Sequence, residues 1–399
     1  MDNGYLERLA DLVVGFGANV QPDQIVAVTC EPGKEALVRA IAASAYRRGA
    51  KFVDVQWFDP WVKRARIAHA RDETLEFVPD WYGERVLALG EARAARIALS
   101  GPSAPGVLDD LDPVRAGKDR LPAVKESGQV VNDRTTNWSI IPCPTPTWAK
   151  LVFPDLSAGE ALVRLVEDIS HVLRLDERDP IAAWHARADT LVSVTKRLTE
   201  RRFDALHYEG PGTDLTVGLL PGATWQAARF TTIDGIEHMP NLPTEEVFTT
   251  PDPERADGHV AASKPLVLVD GTVVRGLRMR FEGGRAVEIT ADTAQDTMRT
   301  IAEHDSGAAR LGEVALVDAE GRIGKLDTVF YDTLIDENAA SHLALGQGFP
   351  FLIEDEDRSR SNESQIHIDF MIGRPDMTVT GITADGDRVP VLVQGKWQV

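Results

Sequence analysis

Ile25-Val-Ala-Val-Thr-Cys30, a helical pattern over residues 34–48, and Phe52-Val-Asp-Val-Gln-Trp57 follow one another near the start of the chain. Two short apolar runs rich in β-branched residues bracket a segment whose apolar positions repeat at helical spacing. That order is the β-α-β alternation of a parallel sheet with covering helices. Working outward, helix-like patterns cover residues 72–96, and Ile97-Ala-Leu-Ser100 reads as a further strand. Residues 138–148 contain Pro142, Pro144 and Pro146, which exclude a regular helix interior and predict an extended linker or edge segment. Helices are expected at residues 158–173 and 180–200.

Past His207 the texture changes. Gly and turn residues separate short β-type runs, including Leu266-Val-Leu-Val269, Val273-Val-Arg-Gly-Leu-Arg-Met-Arg-Phe281, Ala286-Val-Glu-Ile-Thr290 and Glu313-Val-Ala-Leu-Val317. One helix is expected at 293–303. The fold class is therefore an α/β N-terminal domain with a parallel-type sheet, over 1–200, followed by a β-rich α+β catalytic domain over 201–399. Gly210-Pro-Gly-Thr-Asp-Leu215 lacks the Lys-Ser/Thr of a phosphate-binding loop and reads as a β-turn.

With 399 residues, 43% of them hydrophobic, the chain can fill two substantial cores. A formal net charge of −19 argues against a sequence-independent hold on nucleic acid, which needs clustered positive charge. Cys30 and Cys143 have neither metal-pair nor disulfide-framework spacing, which suits a reduced, cytoplasmic protein. The polar, acidic N-terminus is unlike a signal peptide, and no apolar run approaches membrane-spanning length, so no membrane partner is expected.

Chemistry is concentrated in the second half. In Asn362-Glu-Ser-Gln-Ile-His-Ile-Asp369, His367 and Asp369 stand two apart on a strand pattern, so both project from one face and can hold one metal. Further potential ligands are Glu246 in Thr244-Glu-Glu-Val-Phe-Thr249, Glu313 at the head of an apolar strand, and Glu337 and His342 in Asp336-Glu-Asn-Ala-Ala-Ser-His342. Strand alternation sends Glu245 and Glu246 to opposite faces, and spacing alone does not choose between them. Glu337 and His342, five apart, converge only if Glu337 occupies the first turn of a helix. Imidazole and carboxylate together suit borderline divalent ions, and six donors exceed the need of one open catalytic ion. A carboxylate-bridged pair uses them naturally, to polarise a carbonyl and to activate water near neutral pH.

These motifs, together with Gly210-Pro-Gly-Thr-Asp-Leu-Thr-Val217, residues 138–149 and Gly395-Lys-Trp397, resemble the thermophilic aminopeptidase family of dinuclear metallo-aminopeptidases, in the family's order over most of the chain. The resemblance implies a cytosolic homodimeric exopeptidase acting on peptides with a free N-terminus and binding two divalent metal ions, zinc or cobalt foremost, with manganese or magnesium as alternatives. It places the metal ligands on Glu246, Glu313, Glu337, His342, His367 and Asp369, with Glu313 bridging. Glu245 is then the candidate carboxylate that accepts the proton of the attacking water. In one place the chain departs from the family, which usually has Tyr seven residues beyond the ligand matching His342, where this chain has Phe349. Two alternatives follow: a dinuclear hydrolase of another amide or ester, or a catalytically weakened homologue that binds metal or peptide.

Overall fold

The computed structural model describes residues 2–119, 121–122, 124–268 and 272–399, and the chain divides into two compact units. Met1–Trp184 with Arg229–Pro243 form the first, and His185–Ala228 with Thr244–Val399 the second.

The first unit contains α1 (Asn3–Leu12), β1 (Ile25–Cys30), α2 (Glu35–Arg47), β2 (Phe52–Trp57), α3 (Pro60–His69), α4 (Asp80–Glu91), β3 (Ala95–Ser100) and β4 (Trp138–Pro142). Its sheet has the order β2-β1-β3-β4 with every pairing parallel, as the alternation in the sequence predicts. β1 is buried almost throughout, and α2 lays Leu37, Val38, Ile41, Ser44 and Ala45 along one buried stripe. The proline-rich stretch gives an edge strand, β4, and then a helix that the sequence did not suggest, α5 (Pro146–Val152). Thr145 explains it: its hydroxyl accepts the Trp148 N–H at 3.2 Å, while Pro146 occupies the first helical position, where no N–H is needed. The next helix, α6 (Ala158–Val172), opens with a capping box between Ser157 and Glu160.

In the second unit an eight-stranded antiparallel sheet is built from β5 (Ala205–Gly210), β6 (Thr213–Leu219), β8 (Pro251–Ala261), β9 (Arg278–Glu282), β10 (Arg285–Thr290), β14 (Thr378–Ile382), β15 (Arg388–Val393) and β16 (Lys396–Trp397), in the order β10-β9-β8-β6-β5-β14-β15-β16. A separate four-stranded sheet joins β7 (Glu246–Thr249), β11 (Leu311–Val317), β12 (His342–Gly346) and β13 (His367–Met371), in the order β13-β12-β11-β7. Gly210-Pro-Gly212 is the turn between β5 and β6. The expected run 273–281 is interrupted: Val273–Val274 and Arg278–Glu282 are separate strands, and between them Gly276 adopts φ +62°, which a continuous strand cannot accommodate. The end of the expected run Leu266–Val269 lies outside the described residues. Among the described residues no helix is long and apolar enough to cross a membrane.

His238 is a buried, poorly compensated imidazole of the first unit. It is 5% exposed, its Nε2 has no hydrogen-bond partner, its Nδ1 lies 3.5 Å from the Ile236 carbonyl, and the Trp138 and Phe230 rings stand 6.3 and 6.2 Å away. Burial pulls its pKa down to about 4 from 6.5. Between those values the unfolded chain takes up a proton that the folded protein refuses. Folding stability from this group is therefore intact above pH 6.5 and declines by at most about 1.4 kcal/mol per pH unit toward pH 4. Urea unfolding of the wild type and His238→Phe from pH 7 to pH 4.5 should show the variant gaining on the wild type as pH falls; a pH-independent difference would refute this account.

Candidate metal centre

Strand register, more than any single motif, assembles the site. Along β7, β11, β12 and β13 side chains alternate between faces, and directly paired residues share one. Glu246 pairs with Val317, and Phe248 with Ala315. Glu313 pairs with Ala344, and Ala315 with His342. Ala344 pairs with Asp369, Gly346 with His367, and His342 with Met371. The register therefore puts Glu246, Glu313, His342, His367 and Asp369 on the same face, and Ala344, between Glu313 and Asp369, is too small to separate their carboxylates. Gly346 has φ +101°, and a Cβ there would stand 2.2 Å from the Ile366 carbonyl oxygen, so glycine is required where β12 meets β13 beside His367.

Donor atoms from these strands converge in two triads, Glu246/Glu313/His342 and Glu313/His367/Asp369, each with its atoms within 4.8 Å of one another. Glu313 belongs to both. His342 Nε2 lies 3.1 Å from Glu246 Oε2, and His367 Nε2 lies 3.0 Å from Glu313 Oε2 and 3.3 Å from Asp369 Oδ1. Each imidazole is oriented from behind. His342 Nδ1 is 3.1 Å from the Ala340 carbonyl, and His367 Nδ1 is 2.8 Å from the Gln347 carbonyl. A carbonyl can only accept, so both Nδ1 atoms carry protons and both Nε2 atoms face the acids, the arrangement of a metal-ligating histidine. Glu246, Glu313 and His342 are buried, whereas His367 and Asp369 are half-buried, so the cluster is more open on the β13 side.

Glu337 arrives by a different route. A short helix, Thr333–Asp336, passes into a 3-10 turn, Glu337–Ala339, and the backbone becomes extended at Ala340 before β12 begins at His342. A helix-to-strand corner, not the first turn of a helix, thus lies between Glu337 and His342. Glu337 belongs to neither triad.

Charges in the cluster are mutually dependent. Burial first, and then the charges of Asp369 and Glu246, hold Glu337 well above the usual carboxylate range. Burial also raises Glu313. Burial alone would lower His342, but Glu246, Glu313 and Asp369 outweigh it and push its pKa up to about 10. His367 is likewise raised despite burial, by Asp369 and Glu313. Glu246 Oε2 and Asp369 Oδ1 are buried without a hydrogen bond, although imidazole nitrogens lie 3.1 and 3.3 Å away. Unsatisfied carboxylate oxygens facing imidazole nitrogens form a donor set that fits a divalent cation.

Glu245 lies elsewhere. It is fully buried, and its carboxylate receives Arg187 Nε at 2.6 Å instead of joining either triad. Sequence reasoning did not single out Arg187, which looks like one cation of an amphipathic helix. It also missed Asp318, which receives both Arg187 terminal nitrogens at 2.9 and 3.0 Å, and Asn338, whose side-chain oxygen accepts the Glu245 N–H at 2.7 Å. Phe349 stands beside the cluster: its ring centroid is 5.3 Å from that of His367 and 5.5 Å from Phe248.

The model of the thermophilic metalloprotease (M29) family matches residues 3–397. The chain belongs to that family. It is 43% identical over 403 residues to Aminopeptidase T of Thermus thermophilus, spanning 99% of this chain and 98% of that protein. It is 38% identical over 403 residues to Aminopeptidase 2 of Geobacillus stearothermophilus, spanning 98% and 97%. The solved structure of wild-type AmpT from Thermus thermophilus superposes with a TM-score of 0.92 at 43% identity, covering 99% of both chains. Membership of a metalloprotease family agrees with the donor set and with the parallel-plus-antiparallel architecture.

A cation that binds only the folded chain stabilises it by mass action, by about 2.7 kcal/mol at a free concentration one hundred times its Kd. Differential scanning calorimetry of chelator-stripped protein should therefore show a higher Tm on addition of zinc, cobalt or manganese. Glu313→Gln, which alters both triads at once, should remove most of that rise; an equal rise in the variant would argue against the shared role of Glu313.

Proposed function

We propose that this protein is a metal-dependent aminopeptidase that removes N-terminal residues from peptides. The observation that carries the reading is the pair of N/O triads meeting at Glu313, in a chain of a metalloprotease family whose relatives are named aminopeptidases. The ligands proposed are Glu246, Glu313, Glu337, His342, His367 and Asp369, for two divalent ions, with zinc or cobalt favoured by the mixture of imidazole and carboxylate. Location of every ligand beyond residue 200 supports catalytic work in 201–399, with 1–200 as an accessory α/β domain. A cytoplasmic homodimer is the form proposed, on the family resemblance and on the two free, buried cysteines.

When bound, the ions would supply Lewis-acid polarisation of the scissile carbonyl and a water acidified enough to attack it near neutral pH. The chain's residues do the rest. His342 and His367 keep their Nδ1 protons on main-chain carbonyls and offer Nε2 to the cluster. The half-buried His367–Asp369 side lets a peptide approach, and the acids clustered there favour a free α-ammonium group over an acylated terminus. Phe248 and Phe349 give that approach an apolar edge.

Hydrolysis of leucine-p-nitroanilide and its N-acetylated analogue by stripped and reconstituted protein tests the reading. Metal-dependent cleavage of the free-amine substrate alone, abolished in His367→Ala, is expected. Cleavage of both substrates, or of phosphoesters, would favour another metallohydrolase.

A second reading, a weakened homologue that binds metal or peptide with little turnover, is favoured by one observation. Phe349 packs against His367 and carries no hydroxyl with which to meet a developing oxyanion. Loss of one such donor costs about 10²-fold or more in rate. Phe349→Tyr should accordingly raise kcat with little change in KM; an unchanged or lower kcat would show that this position does not limit turnover.

A further inference from the structure

Immediately before β7, beside the metal ligands, lies a buried ionic network with no assigned purpose. Arg187 is at its centre, with its side chain 6% exposed. Nε donates to Glu245 Oε2 at 2.6 Å, and Nη2 donates to the Glu245 main-chain carbonyl at 3.2 Å. Nη1 and Nη2 engage the two Asp318 oxygens as a fork, at 2.9 and 3.0 Å. Asp318 also accepts the Trp397 indole N–H at 2.5 Å and the Glu320 N–H at 2.9 Å. On the other side, Asn338 Oδ1 accepts the Glu245 N–H at 2.7 Å, and its Nδ2 donates to the Leu334 carbonyl at 3.1 Å and stands 3.5 Å from Glu337 Oε1. Glu245 is thus held by its N–H, its carbonyl and its carboxylate.

Two ligands inherit that immobility. Glu245 immediately precedes Glu246, the first residue of β7, so fixing the Glu245 backbone fixes the direction in which the Glu246 carboxylate points. Glu337 precedes Asn338 in the 3-10 turn, so the same hydrogen bond ties the Glu337 corner to β7. Glu337 is the ligand that strand register does not place, and Asn338 gives it an equivalent restraint.

We propose that Arg187, Asn338 and Glu245 are positioning residues that set the spacing of Glu246 and Glu337, and that Glu245 works through its ion pair with Arg187 instead of accepting the proton of the attacking water. The proposal rests on the metal-centre reading given above. It concerns geometry: outer partners of a ligand hold it where the ion needs it, and their removal typically weakens metal affinity by about 10- to 100-fold.

The test measures zinc and cobalt affinity by chelator competition for the wild type, Asn338→Leu and Glu245→Gln, with the urea midpoint of each stripped protein as the folding control. Asn338→Ser, too short to reach the Glu245 N–H, replaces Asn338→Leu if the leucine variant does not fold. Folded Asn338 variants should bind metal about 10- to 100-fold more weakly. Glu245→Gln should also bind more weakly while keeping the acidic limb of its kcat/KM profile at saturating metal. Wild-type affinity in the folded Asn338 variants overturns the proposal. So does Glu245→Gln with wild-type metal affinity and a lost acidic limb, which would make Glu245 the proton acceptor. A wild type that binds no divalent ion would instead sink the metal-centre reading itself, and the two failures are distinct.

Discussion

Like charge brought together out of water is the constraint on which this second unit depends. Glu246, Glu313, Glu337 and Asp369 gather around two imidazoles on the face of a small sheet, with much of their solvation removed. Carboxylates in that setting repel one another and lose the hydration that would normally compensate them. Without a cation the cluster meets this cost with protons, as the elevated pKa values of Glu337, His342 and His367 indicate. A divalent ion offsets the same repulsion while leaving the imidazole Nε2 atoms free to bind, so the electrostatics that make the bare site costly also make it selective for metal.

Rigidity comes from two adjacent residues. Glu246, which opens β7, faces the acids, whereas Glu245 just before it meets Arg187, and the two side chains have opposite requirements. One must present an unsatisfied oxygen; its neighbour must have none. A buried arginine bound to two carboxylates is weak evidence for stability, since desolvation consumes much of the Coulomb gain, yet it restricts conformation strongly.

How much could be read from the sequence follows from the range of each interaction. The β-α-β order of the first unit was legible because its periodicities are local, and so was the shared face of His367 and Asp369. The choice between Glu245 and Glu246 was not, because alternation separates the two without saying which face is which; the pairing of Glu246 with Val317 puts Glu246 on the face that Glu313 and His342 share. Arg187 gave no local signal, since its partners are remote in sequence. Over 138–148 proline was a good guide to the edge strand but misled at the end: three prolines argue against a helix interior, but Pro146 behind the Thr145 cap begins one. The step from Glu337 to His342 was left open for a related reason, five residues being long enough for either a helix turn or a corner into a strand.

Placement of most of the donor cluster by cross-strand pairing separates two properties that are usually entangled in enzymes. Of the 24 residues between His342 and His367, the rest of β12 through Gly346, and the Gln347 carbonyl, fix where the imidazoles sit, whereas residues 349–361 lie outside both strands. That segment is free to vary in length and composition without moving the chemistry. It carries Phe349, whose ring packs on His367, and Phe351, whose ring packs on Phe349, so it is also a segment through which access to the cluster can be reshaped. A scaffold of this kind lets descendants, or an engineer grafting loops, change what reaches the centre while the centre itself stays constant.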